Sequence, residues 1–255
     1  MKTKLSITVA LLLCIAILQS CAEDPILPAS GEGTEELRRT ALLRETEDYG
    51  GDYIDSFVFF GESTTYHMKN RGVLSGGTET KQILADKSGT AILDENTYKM
   101  QILHPGNKQL MPIHDVLKDI KPKYLVLTFG LNGAVQNVKR GREYFTSCYK
   151  KLIDTVRSAS PDTKIILQSC FPVAENMDMT NYSVTQGQLN ERIKTLNGWT
   201  MELADSEGLR YLNTYEALTD KSGNLKLEYQ AGDGHHLTKD AYIVVLNYIR
   251  THGYK

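Results

Sequence analysis

Ser63 and His236 lie far apart in the chain, and each sits in a short motif whose residue types could do hydrolytic chemistry. Ser63 follows an apolar run that ends at Gly61, and His236 lies in the segment 233–237, which begins with Asp233. A serine hydroxyl is a poor nucleophile at neutral pH unless a base takes its proton, and a carboxylate improves that base by fixing its tautomer. The two motifs therefore predict a nucleophile, a base and an orienting acid.

The carboxylate and the imidazole are predicted to meet because they are close in sequence. Asp233 and His236 are three residues apart in a glycine-bearing loop, and a helix predicted from Thr238 would hold that loop rigid. His235 is the competing base. In an extended segment its side chain would point away from that of His236, and Leu237 marks the inward-facing side, so His236 is the preferred base.

Two further residues are candidates for the same site. Asn132 follows an apolar run and could donate its side-chain amide to a developing oxyanion, although Asn-Gly after a strand is also an ordinary turn. His67 lies four residues after Ser63 and is interpreted as a solvated loop histidine.

From Ser56 onward, short apolar runs alternate with amphipathic segments, which is typical of βαβ units around a parallel sheet. The runs that predict strands are 57–60, 124–129, 164–167 and 210–212. Helical spacing of apolar residues predicts helices in 113–120, 145–156, 189–203 and 238–249.

The stretch from Gly72 to Leu110 breaks this alternation and is predicted to be an irregular or β-hairpin insertion that leaves the same edge of the sheet as Ser63. Ligands of open α/β sheets bind beyond the carboxyl ends of the strands. Ser63, Asn132 and residues 171–172 each follow a predicted strand, so we expect them at one edge of the sheet.

Together these motifs resemble those of the SGNH (GDSL-like) hydrolase family, over nearly all of residues 53–253. The family's Gly-Asp-Ser block corresponds to residues 61–63, its Gly-x-Asn-Asp block to 130–133, and its Asp-x-x-His-Leu block to 233–237. The resemblance implies an α/β fold, a flavodoxin-like three-layer α/β/α sandwich with a parallel sheet. It also implies a catalytic triad of Ser63, His236 and Asp233.

The resemblance further implies an oxyanion hole made by the Ser63 backbone N–H, the Asn132 side chain and the N–H of one glycine. Gly72, Gly76 and Gly77 compete for that role, and Gly76 is preferred. Two residues depart from the family pattern, since Glu62 and Gly133 stand where the family has aspartates. Neither position belongs to the proton relay, so these departures concern loop geometry.

The implied activity is that of a serine esterase acting on an ester-bearing small molecule or glycan, with O-acetyl groups on extracellular carbohydrate as the expected substrate. This chemistry requires no metal and no organic cofactor. Two alternatives stay open at this point. One is a non-catalytic surface protein that keeps the fold and binds carbohydrate, and the other is an acyltransferase that passes the acyl group to a sugar.

Composition and charge exclude other classes. The 255 residues are 41% hydrophobic and 24% charged, which is enough for one folded domain with an appendage. A net charge of −2 and the lack of a lysine and arginine run argue against nucleic acid as a partner. The third glycine of a dinucleotide-binding motif is missing after Gly130 and Gly133, and the remaining histidines are too scattered to predict a metal site.

The N-terminus has the pattern of an export signal. Lysines precede an apolar stretch from Leu5 to Leu18, and the segment then reaches Cys21. That ending resembles a bacterial lipoprotein signal, in which the cysteine is lipidated and becomes the first residue. An ordinary secretory peptide is the alternative. We therefore predict a signal peptide in 1–20, and a protein anchored at the bacterial cell surface through lipid on Cys21, or secreted.

Residues 21–49 are predicted to be a flexible tether, because they are rich in proline, glycine and acidic residues, and the hydrolase domain is predicted to span 50–255. Cys148 and Cys170 remain within that domain. Both fall among apolar residues, so they are expected to be buried thiols and not a disulfide.

Overall fold

The computed structural model describes residues 40–254, and its centre is a parallel β-sheet. Seven strands are present in this range: β1 (Phe57–Gly61), β2 (Ile83–Leu84), β3 (Gln101–Leu103), β4 (Leu110–Pro112), β5 (Tyr124–Thr128), β6 (Lys164–Gln168) and β7 (Arg210–Leu212). Five of them form the main sheet in the order β2-β1-β5-β6-β7, with every neighbouring pair parallel. The carboxyl ends of these strands therefore share one edge.

Helices connect the strands and cover both faces of the sheet. Eight α-helices are described: α1 (Gly51–Asp55), α2 (Ser63–Asn70), α3 (Ile113–Ile120), α4 (Ala134–Arg140), α5 (Arg142–Ala159), α6 (Gln186–Ser206), α7 (Tyr215–Leu218) and α8 (Lys239–Arg250). As predicted, Thr238 caps the last helix, because its hydroxyl accepts the backbone N–H of Ala241.

Alternation along the strands divides the core into two apolar clusters, one on each face of the sheet. Leu125 and Leu127 face one cluster, while Tyr124 and Val126 face the other. All five residues of β5 are buried, which explains why its sequence is a continuous apolar run.

Each face of the sheet has its own layer of helices. One layer consists of α1, α2 and α8, which contribute Ile54, Met68 and Tyr242 to the core. The opposite layer consists of α3, α5 and α6, which contribute Leu117, Leu152 and Leu196. The architecture is the three-layer α/β/α sandwich that the sequence predicts.

The stretch from Gly72 to Leu110 is only partly the predicted insertion. It does contain a hairpin, in which β3 and β4 pair antiparallel. It also contains β2, which pairs with β1 and extends the main sheet by one strand. The chain is at the opposite edge of the sheet near Gly72 and returns to the edge of Ser63 only after Leu84, so the prediction that the whole insertion leaves that edge is wrong.

The predicted boundary between tether and domain is also wrong for residues 40–49. Leu43 is buried and donates its backbone N–H to the carbonyl of Tyr211 in β7. Asp48 forms an ion pair with Arg250 of α8. Apolar burial and this ion pair fix the segment to the domain, so the folded part includes residues 40–49. The predicted signal peptide (1–20), the lipidated Cys21 and the rest of the tether lie outside the described residues.

Two observations bear on the cysteines and on membrane association. Cys148 and Cys170 are buried free thiols, as expected. Within residues 40–254, no helix combines the length and apolar character needed to cross a membrane.

Gly61, the last residue of β1, has no room for a side chain. A Cβ at this position would overlap the carbonyl oxygen of Thr128 on β5 and the hydroxyl of Thr65 on α2. We expect Gly61→Ala to lower the free energy of unfolding by about 1–3 kcal/mol, because the backbone of β5 must move. Chemical denaturation measures this loss.

Gly198→Ala is the matched control. Gly198 lies within α6, and a Cβ there would have no heavy atom within 4 Å. The substitution is expected to leave stability unchanged or to raise it by up to about 1 kcal/mol. Equal stability of Gly61→Ala and the wild type would contradict the close packing of β1 against β5.

Candidate active site

Ser63 lies at the carboxyl edge of the sheet, where the chain passes directly from β1 into α2. It is the first residue of α2, two positions after the end of β1. The side chain is partly exposed. A serine at the start of a helix places its backbone N–H among the unpaired donors of the first turn, where negative charge is stabilised.

The second part of the site is the turn 233–236, which precedes α8. The Asp233 carboxylate accepts the backbone N–H of His235 at 3.0 Å and that of His236 at 2.9 Å. Gly234 has φ 82°, a left-handed conformation that favours glycine. The loop is thus a tight turn built around one carboxylate.

Ser63, His236 and Asp233 form a continuous hydrogen-bonded chain. The Ser63 hydroxyl lies 3.0 Å from Nε2 of His236, and Nδ1 of His236 lies 2.6 Å from the carboxylate of Asp233. Ser63 and His236 are separated by 173 positions in sequence. The fold therefore brings together the three residues singled out in the sequence, in the geometry of a nucleophile, a base and an orienting acid.

Hydrogen bonding keeps the Asp233 carboxylate charged. Partial burial acts to raise its pKa, but the N–H groups of His236 and His235 and the ring of His236 outweigh burial and hold the pKa well below its usual range. An ionised Asp233 fixes the proton of His236 on Nδ1 and leaves Nε2 free to accept a proton.

Two expectations about neighbouring histidines are wrong. The His235 ring does not point away from His236; the ring centroids lie 4.0 Å apart, because the segment is a turn and not an extended strand. His67 is not a solvated loop residue. It lies in α2, is partly buried, and its ring stacks on that of His236.

Glu62 is fully buried beside Ser63 and binds the loop that carries Asn132. Its two carboxylate oxygens accept the backbone N–H of Gly130 at 2.9 Å and that of Asn132 at 3.0 Å. Burial raises the pKa of Glu62 to about 7, and these N–H donors oppose that shift. The residue thus replaces the family's aspartate as a bridge between the ends of β1 and β5.

Asn132 is held close to a segment that follows β2. Its side-chain Nδ2 donates to the carbonyl of Ala91 at 3.2 Å, and its backbone is fixed by Glu62. One of the two amide hydrogens is therefore used within the protein, and the second remains as a donor for a ligand.

Gly76 does not lie at this edge of the sheet, so its assignment to the oxyanion hole is wrong. The adjacent Ser75 donates to the carboxylate of Asp55, which precedes β1 at the opposite edge. The chain reaches the edge of Ser63 again only after β2. Ala91, whose carbonyl binds Asn132, is the residue of this insertion at the site. A two-residue β2 gives too short an apolar run for this return to be predicted.

Gly133, the second departure from the family pattern, is accommodated by α4. A Cβ at Gly133 would lie 2.5 Å from Nδ2 of Asn137, a buried side chain of that helix. Asn137 therefore occupies the space that a side chain at 133 would fill.

Asp233, His235 and His236 are the residues of this region that could contact a metal ion. One ligand atom from each lies within 4.8 Å of the others. Both carboxylate oxygens of Asp233 already accept hydrogen bonds from this turn, so the donor set fits a hydrogen-bonded relay better than a metal site.

Comparison with known proteins gives one family match. The model of the family described as "GDSL-like Lipase/Acylhydrolase family" matches residues 59–243, which include Ser63, Asn132 and the turn at 233–236. No curated protein matches the chain.

Solved structures are similar to this chain at low sequence identity. A proposed acylhydrolase from Bacteroides fragilis is 15% identical, with 86% of this chain and 92% of that chain covered and a TM-score of 0.51. A GDSL-like lipase from Bacteroides thetaiotaomicron is 16% identical, with 74% of this chain and 82% of that chain covered and a TM-score of 0.47. A carbohydrate acetylesterase from Sinorhizobium meliloti is 14% identical, with 76% of this chain and 95% of that chain covered and a TM-score of 0.47. At these identities the likeness extends to the fold alone.

The buried carboxyl of Glu62 predicts a pH-dependent contribution to stability. Its pKa in the folded protein is about 7, above the usual glutamate value of 4.5, so the folded state binds more protons than the unfolded state between these values. The stability advantage of the wild type over Glu62→Gln should therefore fall, by up to about 3 kcal/mol, as the pH rises from 4.5 to 7.5. Denaturant unfolding of both proteins across this range measures it.

Glu228→Gln is the control, since Glu228 is exposed and far from this carboxyl. We expect its free energy of unfolding to stay within about 0.5 kcal/mol of the wild type. A wild-type advantage over Glu62→Gln that grows with pH would mean that the N–H donors outweigh burial, contrary to this account.

Proposed function

The chain belongs to the GDSL-like lipase/acylhydrolase family, whose members are ester-cleaving hydrolases, and from this premise we propose that Ser63, His236 and Asp233 are its catalytic triad. The observation that carries the proposal is the hydrogen-bonded chain from the Ser63 hydroxyl through both ring nitrogens of His236 to Asp233, with contacts of 3.0 and 2.6 Å. Both lie within the reach required for proton transfer.

The proposed reaction proceeds in two steps. The Ser63 oxygen attacks the ester carbonyl carbon while Nε2 of His236 takes the hydroxyl proton, and the resulting tetrahedral intermediate expels the alcohol, which receives that proton. Water then attacks the acyl-Ser63 ester, again losing its proton to His236, and the acid leaves as Ser63 regains its hydrogen. Asp233 stays ionised throughout and stabilises the imidazolium.

The developing oxyanion would be bound by donors from three segments. They are the backbone N–H of Ser63 at the start of α2, the second amide hydrogen of Asn132, and the backbone N–H of Ala91. Neither of the two backbone groups donates to another backbone carbonyl outside the regular elements in residues 40–254. Ala91 takes the place first given to Gly76 because its carbonyl contacts Asn132. No metal or organic cofactor takes part in these steps.

We further propose that the substrate carries a short acyl group, such as O-acetyl, on a bulky alcohol, such as a glycan. The space behind Gly130 is filled by Cys170 and Leu196, which would contact any side chain placed there. A packed interior behind this strand end suits a small acyl group.

Single removal of the nucleophile or base should abolish turnover. We expect Ser63→Ala and His236→Ala to lower kcat on a short activated ester by about 10³-fold or more, since members of such a relay act as one unit. Initial-rate kinetics on the soluble domain give the measurement. Ser147→Ala, which changes an exposed serine of α5, is the control and should match the wild type. Equal rates for Ser63→Ala and the wild type would sink the esterase proposal.

The acyl preference is tested with two esters of the same alcohol that differ in the length of the acyl chain. We expect kcat/KM for a nitrophenyl acetate to exceed that for the octanoate by at least about tenfold, because Cys170 and Leu196 fill the space behind Gly130 that a chain of eight carbons would need. Acetate release from an acetylated glycan tests the alcohol side. A preference for the longer acid would contradict the short-acyl proposal, and glycan binding without acetate release would favour the alternative of a non-catalytic carbohydrate-binding protein.

A further inference from the structure

We propose that His67 is a positioning residue for the base His236. The ring of His67 packs flat against the ring of His236 and holds it in the orientation that directs Nε2 to Ser63. The inference rests on the proposed triad. The two rings are nearly parallel, with centroids 4.0 Å apart and an interplanar angle of 6°. This geometry is face-to-face contact between two imidazoles.

Both hydrogen bonds of His236 act at the edge of its ring, at Nδ1 and Nε2. Neither of them contacts a face of the ring. A flat group packed against one face limits tilting of the ring about its Cβ–Cγ bond. His67 is the ring that lies parallel to His236 and can supply this restraint.

One face of α2 is built to make this contact. Ser63, His67 and Arg71 follow one another at intervals of four residues, which places them along the same side of the helix and its cap. Ser63 contacts the edge of the His236 ring and His67 its face, while Nε of Arg71 donates to the carbonyl of Leu237 at 3.3 Å. The helix thus positions the His236 loop at three successive points.

His67 can stack on a charged His236 only while it is neutral itself. Burial, and then repulsion from Arg71 and from the protonated forms of His236 and His235, lower its pKa to about 4, and only Asp233 acts in the opposite direction. At neutral pH the ring is therefore uncharged and does not repel the imidazolium that forms during turnover.

The position carries a cost in stability. Nδ1 of His67 is buried and has no hydrogen-bond partner among residues 40–254. An unpaired buried polar atom destabilises a fold, so a residue of this kind beside a candidate base points to a role in the site.

The kinetic test compares His67→Phe, which keeps a flat ring, with His67→Ala, which removes it. On a short activated ester we expect kcat of His67→Phe to stay within about threefold of the wild type and kcat of His67→Ala to fall about 10–100-fold, with little change in KM, because misplacing a catalytic group slows chemistry more than binding. His114→Ala, at a partly exposed histidine of α3, is the control. If His67→Ala does not fold, His67→Leu replaces it, since leucine fills the volume without a flat face.

Two kinetic results would overturn the proposal. Wild-type kcat in His67→Ala would show that no restraint is lost, and equal impairment of His67→Phe and His67→Ala would show that a ring nitrogen is required. The acid limb of kcat/KM should coincide in the wild type and His67→Phe. A limb that moves to higher pH in His67→Phe would mean that His67 carries charge near neutrality.

An NMR measurement tests the contact independently of any activity. The ring of His67 should shift the carbon-bound ring protons of His236 upfield, and we expect this shift to persist in His67→Phe and to vanish in His67→Ala. Its absence in the wild type would overturn the proposal even if the ester is hydrolysed. If Ser63→Ala and the wild type hydrolyse the ester equally, the triad fails while the shift still reports on the ring contact.

Discussion

A buried carboxylate connects the two strand ends on which the site depends. Glu62 follows β1, and its oxygens bind the backbone N–H groups of Gly130 and Asn132 after β5. The strands are close enough here that Gly61 can have no side chain. Because the carboxyl group is buried, each N–H bond that it accepts matters, and the loop cannot move away without leaving buried oxygens unpaired. The position of Asn132 is thus set by the residue next to Ser63.

The other half of the site depends on α2, because one face of this helix contacts the turn at 233–236, whose Gly234 carbonyl also accepts the backbone N–H of Ala174. Ser63, His67 and Arg71 each contact His236 or its neighbour Leu237. Within the turn, Asp233 organises the backbone and the ring with the same carboxylate. Asp233 therefore stabilises the turn and also orients the ring of His236, so a change that loosens the turn disturbs proton transfer as well.

Local patterns predicted much of this arrangement. Strands β1, β5, β6 and β7 are apolar runs because both faces of the sheet are covered, and Asp233 and His236 are close in sequence. Contacts between distant segments were harder to predict. The two-residue β2 is defined by pairing with β1, so no local pattern shows that the chain returns to the edge of Ser63 after it, where Ala91 contacts Asn132. The stacking of His67 on His236 likewise has no local signal, because it arises only when α2 meets the C-terminal turn.

The central claim is that Ser63 is the nucleophile. Treatment of the purified protein with a serine-directed fluorophosphonate, followed by mass spectrometry of its peptides, tests this claim most directly. The reagent forms a stable bond to an activated serine and requires no knowledge of the natural ester. The account predicts one adduct, on Ser63, that is lost when His236 is replaced by alanine. An adduct on another residue, or an unlabelled Ser63 in a protein that hydrolyses esters, would contradict it.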